Sequence, residues 1–382
     1  MHFSIINYVF IIKLFFGRVL CGVIFAICES EYNDMNEFVS VVVPIYNMGA
    51  VIEKCVNSLL NQDYSDFELI LVNDGSTDNT KEICDRIKEQ NSKVKVIHTE
   101  NRGSGPARNA GIQVAKGKYV YFPDADDFIA PHGLSTMVKA MDNGRFDLVV
   151  FGFKNVNSKG RVVLEQKYAD SEQKGNIIRN NYGEYIGYTA KWGIQGAPWN
   201  KFFDLEVIKN NKIEYPNLRR HQDEGFISRY MCFANNIHFI PDVIYTYFVN
   251  DLKREWQKYP VDYIDSVIGL YHVRKETVLT WNINDVITQE TIKKEYICNV
   301  IKALELSFSP KMEFAKEERK KWIAEQVERS KINSFAVPNC LGIYQKIALK
   351  LIKNESYTFL YSYLRIKTLV EGTKLYTILR KK

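Results

Sequence analysis

Between residues 38 and 122 the chain repeats one pattern, in which a short apolar run is followed by a turn and then a segment of helical period. Val39, Val41, Val42 and Val43 form the first run. Pro44-Ile45-Tyr46-Asn47 breaks it, and Gly49 to Leu60 reads as an amphipathic helix. A second run, Glu68 to Val72, leads through Asn73, Asp74, Gly75, Ser76, Thr77 and Asp78 into a helix over Thr80 to Glu89, and Val94 to Ile97 supplies a third strand. Strands that alternate with helices pair in parallel, because each crossover returns the chain to the same end of the sheet. The predicted fold class is α/β, with helices on both faces of a mainly parallel central sheet. Ligands bind such sheets beyond the carboxyl ends of the strands.

The densest chemistry follows in residues 101–127. The spacing predicts a helix from Ser104 to a stop at Gly117, with Ile112 and Ala115 on its apolar side, and then a buried strand from Tyr119 to Phe122. That strand ends in Asp124, Asp126 and Asp127. Three carboxylates so close together repel, and a divalent cation is the simplest way to hold them; an Asp-rich turn ahead of a helix opened by Pro131 is the alternative. Pro44 to Asn47, Asp74 to Ser76 and Asp124 to Asp126 all fall at strand ends, which favours one nucleotide-and-metal site over three unrelated turns. The first strand runs into Pro44 where a dinucleotide-binding turn would need G-x-G-x-x-G, and no G-x-x-x-x-G-K-[ST] phosphate loop exists.

With 382 residues, the chain accommodates a catalytic domain over 35–250 and an appendage over 251–382. Its seven cysteines are scattered and never form C-x-x-C, so neither a disulfide framework nor a zinc site is indicated. Residues 1–34 are apolar but interrupted by Lys13 and Arg18. They read as an anchor or as sequence upstream of a start at Met35.

These motifs resemble glycosyltransferase family 2, enzymes of the GT-A fold, and in particular those that build bacterial surface polysaccharide. The resemblance covers about 38–250, with a donor half over 38–150 and an acceptor half over 151–250. It rests on Val41 to Asn47, on Asp74 to Asp78, on Asn101 to Gly111 and on the D-x-D-D at Asp124 to Asp127. It implies that Pro44, Tyr46 and Asp74 bind the nucleotide base, with Asn47 also among the nucleotide-sugar-binding residues, and that Asn101 and Arg108 approach ribose and phosphates; for Asp74 a turn residue bonding its own loop is the alternative. Arg108 has a second reading as an ion-pair partner of one aspartate. Asp126, with Asp124, is implied to hold Mn²⁺ or Mg²⁺, with Asp124 also reaching the ribose. Residues 222–226 resemble the family's Glu-Asp-x-x-Phe box, with Gln222 in place of the acid, Asp223 as catalytic base and Glu224 as the fallback. Trp199, in Ala197-Pro198-Trp199-Asn200-Lys201, either stacks on an acceptor sugar or belongs to the core. His221 reaches phosphate or caps a helix. Lys253 and Arg254 depart from the family's basic segment.

The expected function is inverting, metal-assisted transfer from a UDP-linked sugar donor to a saccharide or lipid-linked acceptor. A non-catalytic nucleotide-sugar-binding protein and a sugar-nucleotide pyrophosphorylase are the rivals. The appendage reads as helical, with helices over Tyr263 to Leu279 and Thr291 to Leu306. From Cys340 onward nine Lys or Arg face two Glu. Ile343, Ile347 and Leu351 share one helical face and Lys346, Lys350 and Lys353 another. Such a tail, 340–382, suits an anionic membrane surface, giving a peripheral place on the cytoplasmic face; packing on the catalytic domain is the alternative. No nucleic-acid fold is matched.

Overall fold

The computed structural model describes residues 37–182, 194, 196–249, 261–338 and 340–371. The N-terminal segment 1–34, the stretch 250–254 with Lys253 and Arg254, and the end of the basic tail lie outside the described residues. Strands β1 (Val39–Ile45), β2 (Phe67–Asp74), β3 (Val94–Thr99) and β4 (Tyr119–Tyr121) run parallel in the spatial order 3-2-1-4. They are joined by α1 (Ile52–Leu60), α2 (Thr80–Gln90) and α3 (Ser104–Val114). Every residue of β1 and β2 is buried, as strands covered on both faces require. Val41 and Leu69 enter one core, Val42 and Ile70 the other, by the period-two alternation of a strand.

Two local expectations shift. The break expected at Pro44 falls after Ile45, because Pro44 and Ile45 still pair with Val72 and Asn73. Pairing of β1 with β4 ends at Val41 and Tyr121, so Pro44 lies where one side of β1 is open and a missing N–H is tolerated. Helix α3 ends at Val114 rather than Gly117. Gly117 is demanded by close approach, since a Cβ there would stand 2.6 Å from the Ser40 amide nitrogen and the Tyr119 carbonyl oxygen.

After β4 come β5 (Phe128–Ile129), α4 (Gly133–Met141), β6 (Leu148–Asn157), β7 (Val162–Gln166), β8 (Ser171–Lys174), α5 (Gly175–Asn180), β9 (Lys201–Asp204), α6 (Leu205–Asn210), α7 (Gln222–Met231) and β10 (Asn236–Val249). The sheet continues past β4 as 9-6-10-5. It is parallel through the first four strands and mixed beyond, with β9 antiparallel to both β4 and β6, and β10 parallel to β6. The antiparallel β9 carries Lys201 and the segment before it to the rim where the aspartates emerge.

The C-terminal region is helical: α8 (Tyr263–Thr280), α9 (Val286–Glu305), α10 (Lys316–Ser330), α11 (Ile343–Lys353) and α12 (Tyr357–Glu371). It has its own core, but Trp281, Ile283 and Ile292 join Phe203, Phe226 and Tyr230 of the catalytic core. In α11 the packed face is Ala348, Leu349 and Ile352, whereas Ile343 is 80% exposed and Ile347 is 41% exposed. The Ile343/Ile347 stripe read from the sequence therefore points outward.

Candidate active site

The turns after β1 and β2 are clamped to each other. Asn47 stands at φ 53°, which lets its amide N–H donate to Ser76 Oγ (2.9 Å) while its own side-chain oxygen accepts from the Thr77 amide (2.8 Å). Gly75, at φ +66°, lies against the backbone of Asn101; a Cβ would stand 2.6 Å from that nitrogen. The Asp74 carboxylate is buried and accepts the backbone N–H groups of Arg102 and Gly103 at 2.9 and 2.8 Å. It thus fixes the loop that opens α3. Tyr46 and Asn101 stand exposed on the two sides of this platform.

The three aspartates after β4 do not share one site, contrary to the simplest reading of their spacing. Asp127 turns inward and accepts from the Tyr245 hydroxyl (2.6 Å) and the Phe248 amide (2.8 Å). The Tyr245 ring is stacked on Trp199, with centroids 4.6 Å apart and planes 9° from parallel, so Trp199 braces the aspartate turn. Asp124 accepts from Arg108. Asp126 has no cation beside it among the described residues, and burial together with the Asp124 charge raises its pKa. Among the described residues no group of three or more His, Cys, Asp and Glu could hold a metal ion.

Arg108 is the hub. Helix α3 places it almost wholly buried, and its two terminal nitrogens donate to Asp223 Oδ1 (2.9 Å) and Asp124 Oδ1 (2.6 Å). Arg108 forms ion pairs with both aspartates. Burial would lower its pKa, but Asp223 and Asp124 more than offset this. Its guanidinium also lies 5.3 Å from the centroid of Tyr215, whose ring stacks on Phe226. Asn109, the next residue, holds the Tyr215 backbone by both N–H and C=O, fixing the approach to α7.

Helix α7 begins at Gln222, after His221 in the left-handed region at φ 60°. Gln222 donates to Ser104 Oγ (2.8 Å) and so ties the start of α7 to the start of α3. The other polar side-chain atom of Gln222, its amide oxygen, is buried and takes no hydrogen bond among the described residues. Asp223 keeps part of its carboxylate open to the cleft; burial pushes its pKa up to about 6, against the pull of Arg108. Glu224 cannot serve as the fallback base. It is buried and paired with Arg274 of α8 at 2.8 Å, and Arg274 is paired in turn with Glu295 of α9.

Lys201 has no role that its place in the sequence reveals. It is fully buried, with its ammonium donating to the Ala197 carbonyl (2.6 Å) and Asn200 Oδ1 (2.7 Å). Burial lowers its pKa to about 7, and the Asp223 charge opposes that shift. By reciprocity Lys201 holds the Asp223 pKa down. A general base at this position would be competent only when ionised, so activity is expected to fall as pH drops through about 6. Lys201→Met is expected to move that acidic limb to higher pH in a pH–rate profile; an unmoved limb would mean that Lys201 is only structural.

A parallel half-sheet whose turns are clamped at the carboxyl ends of its strands, with an aspartate turn and a partly open acid beside a buried arginine, defines the α/β class of the protein. Residues 40–194 match the model of Glycosyl transferase family 2. The glycosyltransferase GlyG of Streptococcus pneumoniae is 36% identical over 56% of this chain and 71% of its own length. The putative glycosyltransferase EpsH of Bacillus subtilis is 29% identical over 61% of this chain and 67% of its own. A crystal structure of Staphylococcus aureus TarS in complex with UDP-GlcNAc superposes with a TM-score of 0.60 at 21% identity, covering 86% of this chain and 90% of that one, which supports the shared fold. The chain belongs to glycosyltransferase family 2, and as such it is a sugar-transferring enzyme.

Proposed function

We propose that the enzyme transfers a sugar, with inversion, from a UDP-linked donor to a saccharide or lipid-linked acceptor of a cell-surface polysaccharide, with Asp223 as general base. The observation that carries this reading is the Asp223–Arg108–Asp124 bridge, which joins the proposed base to the turn that faces the donor. Exposed Tyr46, with Pro44 and Asn47 behind it, offers a surface for the nucleobase, and Asp74 holds the loop from which Asn101 reaches the ribose. TarS, whose structure is similar, was crystallised with UDP-GlcNAc, which supports a UDP-linked donor. Trp199 keeps part of its indole exposed beside the aspartate turn and is the surface proposed for the acceptor sugar.

The donor set suits a hard divalent ion that takes its remaining ligands from the substrate. Asp126 is a half-buried carboxylate without a cation, and Asp124 has a second oxygen that takes no hydrogen bond among the described residues. Mn²⁺ or Mg²⁺ held there would offset the charge of the departing diphosphate. Arg108 orients Asp223, Lys201 tunes it, and Asp223 accepts the proton of the acceptor hydroxyl as that oxygen attacks the anomeric carbon. A titration of UDP, GDP and CDP with and without Mn²⁺ tests the donor. UDP is expected to bind best, with affinity reduced at least about tenfold by omission of metal or by Asp126→Ala. Equal binding of the three nucleotides, or indifference to Asp126, would count against it.

A membrane-surface role for the tail is supported by Ile343 and Ile347 standing out of α11 beside Lys346 and Lys350. No helix among the described residues is long and apolar enough to cross a membrane. Sedimentation with phosphatidylglycerol-containing vesicles, but not with phosphatidylcholine alone, is expected, and its loss in Ile343→Ser/Ile347→Ser. Equal recovery with both vesicle types would refute the charge-led reading.

A further inference from the structure

Behind the clamped turns, hydrogen bonds run in series from the edge of the sheet to the first turn. Strand β3 ends the sheet, and its His98 lies opposite Asn73 of β2. The Nε2 of His98 meets Asp85 Oδ1 of α2 at 3.0 Å, and its Nδ1 meets Asn73 Nδ2 at 3.1 Å. Asn73 is 3% exposed, and its amide oxygen accepts the Ser76 backbone N–H at 3.2 Å. Ser76 Oγ accepts in turn from the Asn47 amide, the bond that holds the turn after β1 to the turn after β2.

The donors and acceptors along this series admit one arrangement. Because the Asn73 oxygen is committed to Ser76, the group it turns to His98 is its NH2, which can only donate. Nδ1 must therefore accept, and it does so only without a proton, so the ring is neutral and gives its Nε2–H to Asp85. A charged ring would still donate to Asp85, but it would set Nδ1–H against the Asn73 N–H groups. Asn73 could then meet the ring only by turning its oxygen away from Ser76, which would leave a donor facing the Ser76 amide. Asp85 is the charged group bonded to the ring among the described residues; the neutral Asn73 is on the other side, and the His98 side chain is 33% exposed to solvent.

We propose that His98, neutral and carrying its hydrogen on Nε2, is a positioning residue for the nucleotide: it orients Asn73, and through Asn73 the Asp74-Gly75-Ser76 turn on which the Tyr46-Asn47 turn rests. This role rests on the reading of those turns as the nucleotide surface. It also makes that surface sensitive to acid, because a proton on Nδ1 removes the acceptor that Asn73 needs.

The test uses the full chain. Proton–nitrogen correlation spectra of the histidine rings at about pH 8 should show His98 protonated at Nε2 and bare at Nδ1. Calorimetric titrations of UDP with Mn²⁺ present are run from about pH 8 to about pH 5.5, the span over which histidines take up a proton. His98→Leu deprives the buried Asn73 amide of its acceptor and should weaken UDP binding roughly tenfold at pH 8. His98→Asn offers an amide oxygen near the place of Nδ1 and cannot become charged. It gives up only the half-exposed contact with Asp85, so at pH 8 it should bind UDP within about threefold of the original, and on acidification it should lose at least about fivefold less affinity. Exchange of the Ser76 amide hydrogen reads the order of the turn without any nucleotide, and it should be faster in His98→Leu than in His98→Asn. A proton on Nδ1 at pH 8, UDP binding unchanged in His98→Leu, or the same acid loss in His98→Asn as in the original would each overturn the proposal. If the unaltered protein binds no UDP at any pH, the nucleotide reading fails and the role of His98 toward the nucleotide fails with it, while the ring spectra and Ser76 exchange still report whether His98 holds the turn.

Discussion

Asp223→Asn is expected to lower sugar transfer by about two to four orders of magnitude, the usual contribution of a positioned general base. The amide is nearly isosteric and keeps an oxygen that can accept from Arg108 at the position Oδ1 now holds, 2.9 Å away. Arg108 also remains bound to Asp124 at 2.6 Å, so the guanidinium stays in place and the nucleotide platform is unaltered. UDP affinity should accordingly change by no more than a few-fold. What the substitution removes is the capacity to take a proton. The acidic limb that Asp223 imposes near pH 6 should disappear with it, leaving a slow, nearly pH-independent rate. A protein that had kept the nucleotide pocket but lost turnover would show no difference between the two forms. A variant with unchanged rate, or one that had lost UDP binding as well, would remove Asp223 from the role assigned to it.

Arg274→Met carries the largest expected effect on stability. Glu224 is 4% exposed and Arg274 is its ion-pair partner, so the substitution leaves a carboxylate buried without a counter-charge beside the base. Breaking a buried pair by removing one partner costs about 3–5 kcal/mol, mostly as the penalty on the group left behind. The same logic predicts rescue: Glu224→Gln added to Arg274→Met should recover a large part of the loss, because the stranded charge is gone. Urea denaturation of the two variants measures this. If Arg274→Met were as stable as the original chain, the pair would be peripheral to the packing of α8 on α7. The ion pair also carries a functional consequence, since Glu224 adjoins Asp223 in the first turn of α7 and a loosened turn misplaces the base.

Much of this architecture is legible in local sequence. The buried runs at Val39 to Val43 and Glu68 to Val72 and the helices over Thr80 to Glu89 and Tyr263 to Leu279 follow from periodicity and are found within one or two residues at most ends. What could not be read locally depends on partners distant in the chain. Arg108 and Asp223 are 115 residues apart, and neither position alone reveals a bridge. Asp124, Asp126 and Asp127 look equivalent in sequence, and only Tyr245 and Phe248, arriving on β10, separate Asp127 from the others. Lys201 offers a weak signal, a lysine in the middle of the apolar stretch Trp199 to Phe203, which marks burial but not what it faces. Glu224 passes as a spare base until α8 supplies Arg274. In α11 two faces are apolar enough to pack, and tertiary context selects Ala348, Leu349 and Ile352 over the more regular Ile343, Ile347 and Leu351 stripe.

The central claim, inverting transfer with Asp223 as base, is tested most directly by following α-linked UDP-sugars by proton NMR with the full chain, with Mn²⁺ added in catalytic amount. The anomeric signal of the first product is read for the original protein and for Asp223→Asn. UDP release with a β-configured first product, lost in Asp223→Asn, is the predicted result. An α-configured first product, or the same rate in both proteins, would contradict it.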